Sequence, residues 1–164
     1  MRARNVALVV VLTAATLTVG LAQPAAVQVG LAGQVTTKTR DGASPATSVV
    51  YAEPIGGAAP RVRATTATMA QKNKSFAPRV MGISVGTTVT FPNEDAIFHN
   101  AFSLSGPQPF DLGLYRGGAS KDRVFSQPSV YNVFCNIHPQ MVAFVVVAPT
   151  PWVTTTAADG AWRL

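Results

Sequence analysis

The sequence predicts an all-β domain, on three observations. Beyond the first two dozen residues no stretch keeps an apolar period of 3.6 residues over three turns. Short alternating or valine-rich runs recur instead, and Gly- and Pro-rich segments separate them at turn-like spacings.

The first 22 residues read as a processing signal. Arg2 and Arg4 form a basic start, Asn5 to Leu21 is apolar, and Gly20-Leu21-Ala22 supplies the small residues a signal peptidase reads. An uncleaved anchor is the competing reading, since the run is near the lower length limit for spanning. Interspersed threonine and the Gln23-Pro24 that follows favour cleavage, and the absence of a nearby cysteine excludes a bacterial lipid anchor. Cleavage predicts a periplasmic or secreted bacterial protein with no membrane contact. It leaves 142 of the 164 residues, enough for one cored domain, taken as residues 23–150. The mature chain then has 11 basic and 7 acidic residues.

Val27 to Thr37 alternates as a strand, Arg40-Asp41-Gly42 turns, and Ser48 to Ala52 reads as a second strand before a Pro/Gly loop. Thr65 to Ala70 is strand-like. Phe76, Val80, Ile83, Val85, Val89 and Phe91 are expected to face one core, with Gly86-Thr87 as the turn between two strands. Asn93-Glu94-Asp95 reads as a polar loop, after which Ile97-Phe98 should return to the interior and carry His99 with it. Ser103 to Gly118 is loop-rich, Ser120 to Phe125 a strand, and Val130 to Phe134 and Ala143 to Ala148 two buried strands. Residues 151–164 read as a C-terminal extension resembling the start of a β-hairpin, lost or truncated beyond Leu164.

Between the last two buried strands, Cys135, His138 and Met141 fall within seven residues, and His99 is the one other histidine. A thiolate, two imidazoles and a thioether are the ligand set of a trigonal copper site with a weak axial Met. A single cysteine in an exported chain also needs protection, which a metal bond provides. A lone His beside apolar residues is more often a satisfied core histidine. Here both histidines lie in the segments that match a copper site.

Cys-x2-His-x2-Met after a strand, with His99-Asn100 upstream and Ile83-Ser84-Val85-Gly86-Thr87-Thr88-Val89-Thr90-Phe91-Pro92-Asn93 before that, resembles the cupredoxins of the amicyanin and plastocyanin-like group. FPNEDAIFHNAFS, FDLGLY and CNIHPQM together are similar to bacterial plastocyanin-like proteins often labelled methylamine-utilisation proteins. The resemblance runs from about Phe76 to Val147. It implies a Greek-key β-sandwich holding one copper ion, Cu+ or Cu2+, on His99, Cys135, His138 and Met141, and it implies that the loop-rich Ser103–Gly118 region packs near the metal end.

Two neighbours carry expected supporting roles. Asn100 can clamp the ligand loop near Cys135 or satisfy its own local backbone. Pro139 keeps the loop from coiling, holds His138 at the domain's end, and lacks an N–H that could draw charge from the Cys135 sulfur, which predicts a comparatively low potential.

These residues point to a one-electron carrier with no catalytic residues. An oxidase or nitrite reductase needs a second histidine-rich centre, and two histidines do not supply it. Structural zinc would favour a further Cys or His over Met. The alternative from another class is a secreted copper-binding or storage module. Arg61, Arg63, Lys72, Lys74 and Arg79 form a stretch free of Asp and Glu, which reads either as a patch that steers an acidic redox partner or as solvated surface. Nucleic acid is a poor partner candidate, since no motif accompanies these charges.

Overall fold

The computed structural model describes residues 30–36, 47–57 and 60–164. The expected signal, residues 1–22, the outer parts of the Val27–Thr37 run and the Arg40-Asp41-Gly42 turn lie outside the described residues. No helix among the described residues is long and apolar enough to cross a membrane.

The chain is all-β. In order, its strands are β1 (Ala32–Gln34), β2 (Val49–Tyr51), β3 (Thr66–Thr68), β4 (Ala70–Lys72), β5 (Ser75–Ala77), β6 (Val80–Ser84) and β7 (Thr87–Pro92). There follow β8 (Phe102–Ser103), β9 (Phe110–Asp111), β10 (Ser120–Phe125), β11 (Ser129–Phe134), β12 (Val142–Ala148), β13 (Val153–Thr155) and β14 (Ala161–Arg163). One sheet has the order β6-β12-β11-β8-β9 and a second β10-β7-β3, so the chain passes repeatedly between two sheets as a Greek-key sandwich does. β6 runs parallel to β12 and β3 parallel to β7; the other pairings are antiparallel.

Strand pleating decides the core. Val89 and Phe91 of β7 and Phe125 of β10 point inward from one sheet, and Tyr131, Val133, Ala143 and Val145 point inward from the other. Phe125 bridges the layers, with its ring centroid 5.0 Å from Tyr131 and 5.7 Å from Phe110, both edge-on. Each such fully buried ring stabilises by about 1.5–3 kcal/mol.

The same pleat corrects one expectation. Val80 and Ile83 are an odd number of residues apart on β6 and cannot share a face. Ile83 and Met81 enter the core, while Val80 lies on the outer side. Gly86 makes the expected turn between β6 and β7 with φ 85°, a conformation that costs glycine little.

Residues 151–164 do not pair with each other as a hairpin. β13 pairs with β2 and β14 with β1, so strands from the two ends of the chain meet. The β2–β13 pair lies over β6 at Gly82, whose N–H donates to Thr155 Oγ1 at 3.1 Å. A Cβ at Gly82 would stand 2.6 Å from a Val49 methyl, so a side chain here would have to push that methyl or its strand aside.

Candidate metal centre

His99 reaches the core end through a loop that Asn93 folds. The buried Asn93 side chain donates to Ile97 O at 2.8 Å and Tyr115 O at 3.2 Å, and its Oδ1 accepts from Asp95 N–H at 3.1 Å. His99 and Tyr115 then exchange backbone hydrogen bonds of 3.1 and 2.8 Å. The outcome is a histidine with 0 % exposure. Ile97 and Phe98 do not return to the interior as expected but stand 39 % and 57 % exposed. They belong to an irregular loop whose inward turn is made by polar Asn93, so apolar character alone misplaces them.

Cys135 directly follows β11 and is buried, and His138 and Met141 lie in the seven-residue connection to β12. Met141 N–H donates to His138 O at 2.9 Å, which closes this loop into a turn, and the Met141 side chain is buried. His138 is part-buried. Cys135 Sγ lies 3.8 Å from Nδ1 of His99 and 3.8 Å from Nδ1 of His138, and the imidazole centroids are 4.7 Å apart at 63°. The three candidate ligand atoms all fall within 4.8 Å of one another.

These spacings suit a first-row transition ion. Held about 2 Å from nitrogen and about 2.3 Å from sulfur at the ~120° angles of a trigonal site, it would keep nitrogen and sulfur about 3.8 Å apart. Both histidines turn the same ring atom, Nδ1, toward the sulfur. The donor set of one soft thiolate and two imidazoles fits copper.

The surroundings fix this arrangement. Asn100 Oδ1 accepts from the Asn136 N–H at 2.7 Å, reaching across to the ligand loop rather than to its own neighbours. Its Nδ2 donates to Asp111 at 3.2 Å and its carbonyl accepts from the buried Gln71 at 3.0 Å. With the Tyr115 pairing, these bonds bring the Ser103–Gly118 segment against the site. Pro139 is exposed beside His138.

Sequence reasoning missed Asp95. Its Oδ2 lies 2.8 Å from His99 Nε2, and its two oxygens accept the Asn73 and Lys74 N–H groups at 2.7 and 2.8 Å. Burial pushes this carboxyl up, but those two N–H groups and the His99 ring more than offset it, leaving Asp95 below the usual carboxylate value. The signal available was an Asp four residues before the histidine. His138 sits below its ordinary value, chiefly through desolvation, with the charges of His99 and Lys74 adding and Asp95 opposing.

No protein-family model matches the sequence, and no curated protein does. Solved structures are similar in part. A point mutant of amicyanin, in its reduced form, aligns at 22% identity and TM-score 0.48 over 51% of this chain and 82% of its own. A purple cupredoxin from Nitrosopumilus maritimus aligns at 29% and 0.46 over 50% of this chain and 99% of its own. The copper-containing nitrite reductase of Thermus scotoductus SA-01 aligns at 29% and 0.49 over 60% of this chain, which spans 25% of that enzyme. Two sheets around one core, with His99, Cys135 and His138 brought together where β11 ends, make the fold cupredoxin-like.

Proposed function

We propose that this chain is an exported type 1 copper protein that carries single electrons between redox partners. His99, Cys135 and His138 would hold one copper ion, and the buried Met141 thioether would supply a further, weak donor. The observation that carries this reading is the convergence of both Nδ1 atoms on the Cys135 sulfur at 3.8 Å. When bound, copper supplies a one-electron couple that needs little change of shape in a frame offering both sulfur and nitrogen.

The chain's own residues supply the frame and the exit. His99 comes from the loop after β7 and Cys135 from the end of β11, so two stiff elements preset the ligand positions, and the Asn100–Asn136 bond ties one to the other. His138 is the more accessible imidazole. Exposed Ile137 and Pro139 flank it in the loop, apolar groups of the kind transient partners contact. Lys72 ends β4 and Lys74 lies on the β4–β5 turn beside Asp95, basic groups of the kind that steer an acidic partner. Export is supported by the basic-then-apolar leader.

The alternative is a secreted module that binds or stores copper without passing electrons. Voltammetry of the copper-loaded protein separates the two. A carrier exchanges one electron per chain reversibly over repeated cycles; a storage module binds the ion but shows no reversible wave.

A further inference from the structure

The β4–β5 turn touches the candidate centre through one carboxylate. Asn73 and Lys74 both have φ 53°, the pair of left-handed residues that a two-residue type I′ hairpin requires. That geometry turns both of their N–H groups toward Asp95, at 2.7 and 2.8 Å. The Asp95 backbone is tied in turn to Asn93 Oδ1. The carboxylate that meets His99 Nε2 is therefore held by its own loop and by a second element 21 and 22 residues upstream.

We infer that Asp95 and the Asn73–Lys74 turn form the positioning device for His99. An ionised carboxylate only accepts hydrogen bonds, so a neutral His99 carries its ring proton on Nε2 and presents the Nδ1 lone pair to Cys135. The ring has no exposure, so its polar partners are Asp95 at 2.8 Å and the Cys135 sulfur at 3.8 Å; the carboxylate is the nearer and stronger acceptor, and the tautomer follows from it. The turn acts through its backbone: it needs two N–H groups and positive φ, not the side chains of Asn73 and Lys74. The inference rests on the reading of His99 as a ligand, but its consequence exists in the protein without metal.

The test is nitrogen-15 NMR of the imidazoles in the metal-free full chain, followed by copper titration. Wild type should show His99 protonated on Nε2 and bare at Nδ1. In Asp95→Asn the uncharged amide offers one acceptor oxygen where the carboxylate offers two, so one turn N–H loses its acceptor, the hold on Nε2–H weakens, the tautomer preference relaxes, and copper affinity falls by about 10- to 100-fold. The double variant Asn73→Gly with Lys74→Gly keeps the backbone device and should leave the His99 signals and affinity as in wild type. A wild-type ring protonated on Nδ1 overturns the inference, as does a folded Asp95→Asn protein with unchanged tautomer and affinity, or a glycine pair that shifts the tautomer. If Asp95→Asn does not fold, the wild-type tautomer and the glycine pair decide. Wild type with the Nε2–H tautomer but no copper binding would sink the proposed function and leave this assignment standing.

Discussion

The two histidines of the centre are not equivalent. His99 is sealed from solvent and held on its far side by Asp95, whereas His138 is part-exposed on a seven-residue loop. Replacing His99 with Ala should therefore weaken copper binding by more than the ~100-fold that loss of a supporting partner costs, measured by titration. Met141→Leu should leave copper bound and raise the potential, because it removes only a weak donor. Pro139→Ala should also raise the potential by restoring an N–H near the Cys135 sulfur; voltammetry giving an unchanged or lower value would make the missing donor irrelevant. The donor chemistry of the sequence singled out His99, Cys135 and His138, whose ligand atoms the fold brings within 4.8 Å of one another. Asp95 was not legible there, because its role depends on N–H groups of a turn that no local pattern connects to it. Ile97 and Phe98 misled for a related reason, since apolar character predicts burial only where a strand or helix fixes the side-chain direction.

Among the elements, the loop that delivers His99 is tightly constrained. Gly117 packs against its backbone so closely that a Cβ would stand 2.1 Å from Asp95 O, a contact with main chain that no side-chain rotation relieves. Gly117→Ala should destabilise the protein by about 1–3 kcal/mol in denaturant unfolding and disturb the visible spectrum of the copper form. Gly82→Val should act in the opposite way. It would push β2 and β13 off β6, lowering hydrogen-exchange protection at 49–51 and 153–155 while the centre keeps its spectrum. The central strands were readable from β-branched alternation, which the pleat turns directly into inside and outside. The partners of β13 and β14 were not readable: each pair is three residues long, and its strands lie more than a hundred residues apart in the chain.

Taken whole, the molecule places its candidate centre where β11 leaves a two-sheet core and lays the β2–β13 pair over β6. The basic stretch divides between these regions. Lys74 sits on the turn that holds Asp95 and Lys72 ends β4, where it pairs with Glu94 at 3.0 Å, while Arg79 lines an outer groove with Val130, Phe144 and Val146. Composition showed the charges, but only the fold sorts them. Association with an acidic redox partner should slow steeply as ionic strength rises, and replacing Lys72 and Lys74 with neutral residues should flatten that dependence more than replacing Arg79. A rate indifferent to salt would leave them as solvated surface. The central claim, that the Cys135 thiolate and two imidazoles bind copper together, is tested most directly by the visible absorption of the protein loaded with copper(II). An intense thiolate-to-copper charge-transfer band, abolished by reduction and absent in Cys135→Ser, is the predicted result; a colourless copper(II) adduct would contradict it.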